Sequence, residues 1–159
     1  MKFVFFDVDS ETLLSKDGRV RPFMIDVLGY CYVSKVRVYL SGSTENVKKV
    51  IDWLQEQEGG KDQYIMGSFP KNGEIPHFPN LVISCNNEWL KKYPGLLVPP
   101  YDPDRSNRWA DIAFAGRLLD IVKDKVVLGR FKHDEMTKPK KETPKDNGPE
   151  DPSNWAYTI

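Results

Sequence analysis

Cysteine is scarce: the 159 residues carry two, Cys31 and Cys85, and neither belongs to a CxxC pair. This excludes a disulfide framework and the common zinc-ligand spacings, and it fits a reducing, cytoplasmic setting. Net charge is lacking too, since 23 lysines and arginines balance 23 aspartates and glutamates. No overall field draws the chain to nucleic acid or an anionic membrane, although zero net charge still permits a local basic patch. Long apolar runs are missing. Phe3-Val4-Phe5-Phe6 reaches Asp7 too soon for a signal peptide, and no later stretch is long enough to span a bilayer. No internal repeat is evident. Of the two histidines, His77 sits in a Pro-rich loop and His133 in a polar segment, so both read as solvated rather than as a catalytic pair.

What is present is a chain with apolar side chains at 40% of its positions, enough for one core and too short for two ordinary domains. Residues 2–6 read as a strand buried on both faces of a mainly parallel sheet. Residues 20–34 have irregular helical spacing, and Val36 to Leu40 supplies a second strand, giving a βαβ unit. Ser43 or Thr44 can cap the clearest helix, which carries Val47, Val50, Ile51 and Leu54 on one face and stops at Gly59-Gly60. Further strands are expected at 63–66, 81–84 and 96–98, the last closed by Pro99-Pro100. A second helix is expected between about Asn107 and Val122, with Trp109, Ile112, Ala113, Gly116, Leu119 and Val122 as its apolar stripe. Val126-Val127-Leu128 reads as a last edge strand. The expected fold is a capless α/β domain over residues 1–131, three-layered and doubly wound around a mainly parallel, Rossmann-like sheet. Residues 132–159 read as a polar, Pro-, Lys- and Glu-rich tail, with an apolar end, Trp155 to Ile159, able to dock on the domain or on a protein partner.

In such a sheet, ligands gather beyond the carboxyl ends of the strands, and Asp7, Ser41 and Ser84 each stand at such an end. Asp7-Val8-Asp9 leaves its strand into a turn, so both acids can reach one pocket. One can attack while the other moves a proton, provided that a metal offsets repulsion from an anionic phosphate. The ordinary readings are that the acids are turn residues and that Ser41-Gly42-Ser43-Thr44 is a loop and helix cap. Trp53, Trp89 and Trp109 read as core or rim packing rather than a base-stacking platform, and Cys85 as a small buried apolar residue.

The run Phe3 to Asp9 followed by Thr12-Leu13-Leu14 resembles the first motif of the haloacid dehalogenase (HAD) superfamily, an apolar strand leading into DxDx[TV]. Val38-Tyr39-Leu40-Ser41-Gly42 resembles its second motif, and Leu81 to Pro100 the region around its fourth. The resemblance covers roughly residues 2–122. It implies a phosphohydrolase in which Asp7 forms an aspartyl-phosphate and Asp9 is the general acid/base. Ser41, Gly42 and Lys71 would bind the substrate phosphate, with Lys61 as the competing choice for the lysine. Weakly held Mg²⁺ would sit on Asp7, Asp9 and Asn86. Two departures stand out. Glu11 occupies the place of the family's Thr or Val, with Thr12 one position later, and the fourth strand ends Ser84-Cys85-Asn86-Asn87 without the usual magnesium-binding acids. The gaps after the first and third strands are too short for a lid, which favours a large phosphorylated substrate or a completing partner. Two readings therefore stay open: a phosphatase acting through Asp7, and a catalytically impaired HAD-like module that binds phosphate or a partner. A CheY-like receiver is disfavoured because residues 63–69 contain no Asp.

Overall fold

The computed structural model describes residues 1–130 and the backbone of Ala156–Thr158. Most of the expected tail lies outside the described residues, His133 and Trp155 included. The elements run β1 (Lys2–Asp7), α1 (Met24–Val33), β2 (Val36–Ser41), α2 (Thr44–Glu56), a 3₁₀ turn (Asp62–Tyr64), β3 (Ile65–Phe69) and β4 (Leu81–Ser84). They continue with α3 (Asn87–Leu90), β5 (Gly95–Leu97), α4 (Arg108–Ile121), a π-helical turn (Val122–Val127) and β6 (Ala156–Thr158). The sheet order is β3-β2-β1-β4-β5-β6. The first five strands pair in parallel, and β6 lies antiparallel on the β5 edge. This is the Rossmann-like plan, in which the strand order reverses beside β1 and leaves a crevice between the carboxyl ends of β1 and β4.

Alternation along the strands divides the core. Val4, Phe6, Val38, Leu40, Leu81 and Ile83 point to one face, where α1, α2 and α4 cover them through residues such as Met24, Leu28, Leu54, Phe114 and Leu118. Phe3, Phe5, Phe69 and Val82 point to the other, where the cover is Trp89 and Leu90 of the one-turn α3 together with Ile75 and Tyr93. The second layer is therefore thin. Because β1 is buried on both faces, its near-continuous apolar run needs no polar alternation.

Two expectations are corrected. Residues 126–128 form no strand: Val122–Val127 continue α4 as a π-helical turn whose Val122 and Val126 enter the core. The buried face of α4 is Phe114, Ala115, Leu118 and Ile121, whereas Trp109 is 80% exposed and Ile112 is also exposed. Apolar residues surround this helix on all sides, so spacing alone admits more than one stripe, and contact with α1 selects the buried one. Among the described residues no helix is long and apolar enough to cross a membrane.

Candidate functional site

Asp7 and Ser41 close β1 and β2 at one register position. Asp7 lies two residues beyond Phe5, Ser41 two beyond Tyr39, and Ser84 two beyond Val82, so all three stand on the second, thinly covered face. All three are buried. One carboxylate and two hydroxyls thus gather beneath the surface at neighbouring strand ends.

The Asp7 carboxylate is fully engaged. Its Oδ1 accepts the Asp9 N–H at 2.9 Å, and its Oδ2 accepts the Ser10 hydroxyl at 3.0 Å and the Ser84 hydroxyl at 2.7 Å. Ser10 gives its single proton to Asp7, so in the 3.0 Å contact between Ser10 and Thr12 the Thr12 hydroxyl is the donor. Thr12 Oγ1 in turn accepts the Cys85 N–H at 3.0 Å, and Ser84 Oγ accepts the Asn86 N–H at 2.9 Å. The turn after β1 and the end of β4 are knitted together through the carboxylate. Thr12 has a definite role here, which is to tether Cys85. The thiol of Cys85 itself lies 3.9 Å from a Glu11 oxygen.

Asp9 faces a different element. Its Oδ1 accepts the Ser43 N–H at 2.8 Å and the Asn46 amide at 3.0 Å, so the carboxylate sits at the amino end of α2, where the unpaired N–H groups favour an anion. Burial would raise its pKa, but the Ser43 and Asn46 hydrogen bonds and the Lys71 charge outweigh that and hold it below the ordinary aspartate value. Gly42 permits the approach: a Cβ there would lie 2.6 Å from both Asp9 Oδ1 and Val8 Cγ2. The Gly42 N–H donates to the Phe69 carbonyl at 3.1 Å, so its amide is spent within the sheet.

The remaining candidates separate. Lys71, half-buried on the loop after β3, lies near enough to Asp9 to lower its pKa. Lys61 precedes β3 at the opposite end of the sheet, with its ammonium 5.8 Å from the Tyr64 ring centre. Asn86 caps α3, its Oδ1 accepting the Glu88 N–H at 3.0 Å. His77 is exposed, yet its ring stacks on Phe3 with centroids 4.1 Å apart. The Ser41 hydroxyl is buried and has no hydrogen-bond partner among the described residues, a condition that calls for a bound water, ion or further polar group.

The donor set fits a hard dication poorly. A cation shared between Asp7 and the end of β4 would meet the Ser84 hydroxyl rather than a carboxylate, and the Asn86 oxygen is already occupied by its cap. Among the described residues, no three His, Cys, Asp or Glu side chains converge as metal ligands. Ser10, Ser84 and Asn46 were not foreseen as partners of the acids. Ser10 and Asn46 are common turn and helix-start residues, and only the meeting of β1, β4 and α2 reveals what they hold.

The fold and these contacts define an α/β protein with a Rossmann-like sheet and a buried polar cluster at its switch point. Comparison with known proteins found no matching family model, no matching curated relative and no matching solved structure.

Proposed function

We propose that this chain is a HAD-like phosphate-binding module whose turnover through Asp7 is impaired. The observation that carries the reading is the state of Asp7, which is fully buried and has both oxygens engaged by three donors. A nucleophile must reach its target along an open line, and a carboxylate held by two hydroxyls and an amide is both screened and less nucleophilic. The low pKa direction of Asp9 adds to this, since a general acid needs its proton near neutral pH. Phosphate binding is supported by Lys71, whose charge acts on Asp9 just beyond the strand ends. Cytoplasmic residence and a macromolecular phosphorylated ligand accord with this reading.

The phosphatase reading draws on a different observation, the placement of Asp7, Ser41 and Ser84 on one sheet face at neighbouring strand ends. In that reading Asp7 attacks phosphorus, the ester oxygen leaves and takes a proton, and water then cleaves the aspartyl-phosphate. Asp7 would first have to shed Ser10 and Ser84. Hydrolysis of an aryl phosphate at millimolar Mg²⁺, measured beside calorimetric titration with inorganic phosphate, separates the two. The binding reading expects no turnover sensitive to Asp7→Asn and a phosphate affinity that falls in Lys71→Ala. Turnover abolished by Asp7→Asn would establish the enzyme instead.

A further inference from the structure

Beside the strand ends, on the thinly covered face, lies a second feature that shares Lys71 with the phosphate reading. The loop after β3, the one-turn α3 and the turn into β5 border an open cavity of about 460 Å³, lined by Lys71, Lys91, Lys92, Ile75, Trp89 and Tyr93 among others. Its size is that of a small-molecule site. Three lysines line it against the single carboxylate of Glu88, a strong local excess in a chain of zero net charge. Three positive charges against one negative around a single concavity favour an anion there. Lys71 belongs both to this cavity and to the surroundings of Asp9, so the two sites adjoin.

The wall is aromatic as well as basic. Trp89 and Tyr93 have ring centres 5.8 Å apart, and Tyr93 meets Phe78 edge-on at 5.5 Å, with Phe78 exposed to solvent. The Trp89 indole N–H is buried, a donor with no acceptor among the described residues. Lysines answer phosphates; flat aromatic side chains answer a flat nucleobase, because every base offers a π-face for stacking. An acidic peptide would satisfy the lysines and leave the aromatic wall without a counterpart.

We propose that this cavity binds a nucleoside phosphate, with its phosphates among Lys71, Lys91 and Lys92 and its base against Tyr93 and the edge of Trp89. The proposal rests on the phosphate-binding reading through Lys71 and names the ligand class. The test is calorimetric titration of the full chain with adenosine 5′-diphosphate, adenosine and inorganic pyrophosphate at low ionic strength. The diphosphate should bind at least about tenfold more tightly than either fragment. The double variant Lys91→Ala/Lys92→Ala, which alters only exposed side chains, should weaken it by about tenfold or more. Tyr93→Leu should weaken the diphosphate and leave pyrophosphate unchanged. Pyrophosphate bound as tightly as the diphosphate, with dependence on Lys71, would overturn the nucleoside while leaving phosphate binding intact. Loss of all Lys71-dependent anion binding would sink both readings, and diphosphate affinity indifferent to the double variant would sink the assignment of this cavity.

Discussion

Ser84 Oγ donates a 2.7 Å hydrogen bond to Asp7 Oδ2, joining the carboxyl ends of β4 and β1 through two residues that are wholly excluded from solvent. A buried carboxylate without donors would be costly. With Ser10 and the Asp9 amide adding their own bonds, the strand-end acid becomes a structural knot between two neighbouring strands.

Removing that donor should therefore be felt as lost stability. Ser84→Ala is expected to cost about 1.5–3 kcal/mol, the range for a hydrogen bond to a charged group, read from urea unfolding. Ser84→Asp should place two carboxylates together, and its melting temperature should rise on adding millimolar Mg²⁺ while that of the parent stays level. An Mg²⁺ response equal in both proteins would show that the Ser84 hydroxyl does not stand at a potential cation position.

Gly42 offers a steric test. Its φ of +152° and the 2.6 Å approach to Asp9 Oδ1 leave no room for a methyl group. Gly42→Ala should cost roughly 1–3 kcal/mol by overpacking and should push the Asp9 carboxylate off Ser43. Unchanged unfolding curves would mean that the β2–α2 turn gives way easily.

The Asp9 carboxylate gives a prediction in pH. Its folded pKa lies below the ordinary value through the Ser43 amide, Asn46 and Lys71, despite the opposing pull of burial. The stability it contributes is present above the unfolded aspartate pKa of about 3.9 and is lost as pH falls through the lower folded value. Carboxyl NMR titration should find Asp9 below the unfolded midpoint, and Asn46→Ala should move it upward. A midpoint at or above that of an unfolded aspartate would contradict the helix-end placement.

The face of α4 can be checked by two truncations. Leu118 is fully buried and Trp109 is mostly exposed. Leu118→Ala should cost about 2–5 kcal/mol, whereas Trp109→Ala should stay within about 0.5 kcal/mol. Chemical denaturation of both variants decides it, and the reverse order would restore the stripe through Trp109 and Ile112.

Patterns carried by neighbouring residues were legible without coordinates. The apolar run of β1 ending at Asp7, the capped α2 with its regular apolar spacing, and the apolar runs of β2 and β4 all follow from local chemistry, because burial on both faces or one stripe leaves a one-dimensional trace. The same reasoning placed Asp7, Ser41 and Ser84 at strand ends. It failed where the trace is ambiguous: α4 is apolar around its circumference, and Val126-Val127 suits a strand as well as a helical turn that caps a core.

The sequence by itself determined which residues could stand at the strand ends and that two acids leave β1 two positions apart. Only the tertiary structure decided what each acid meets. Asp7 was captured by hydroxyls from its own turn and from β4, and Asp9 by the amide of the capping residue Ser43 and by Asn46 of α2. Strand order brought β4, distant in the chain, against β1, and it set Lys71 rather than Lys61 near the acids. Such meetings depend on which elements pair across long loops, and spacing within a segment carries no record of them.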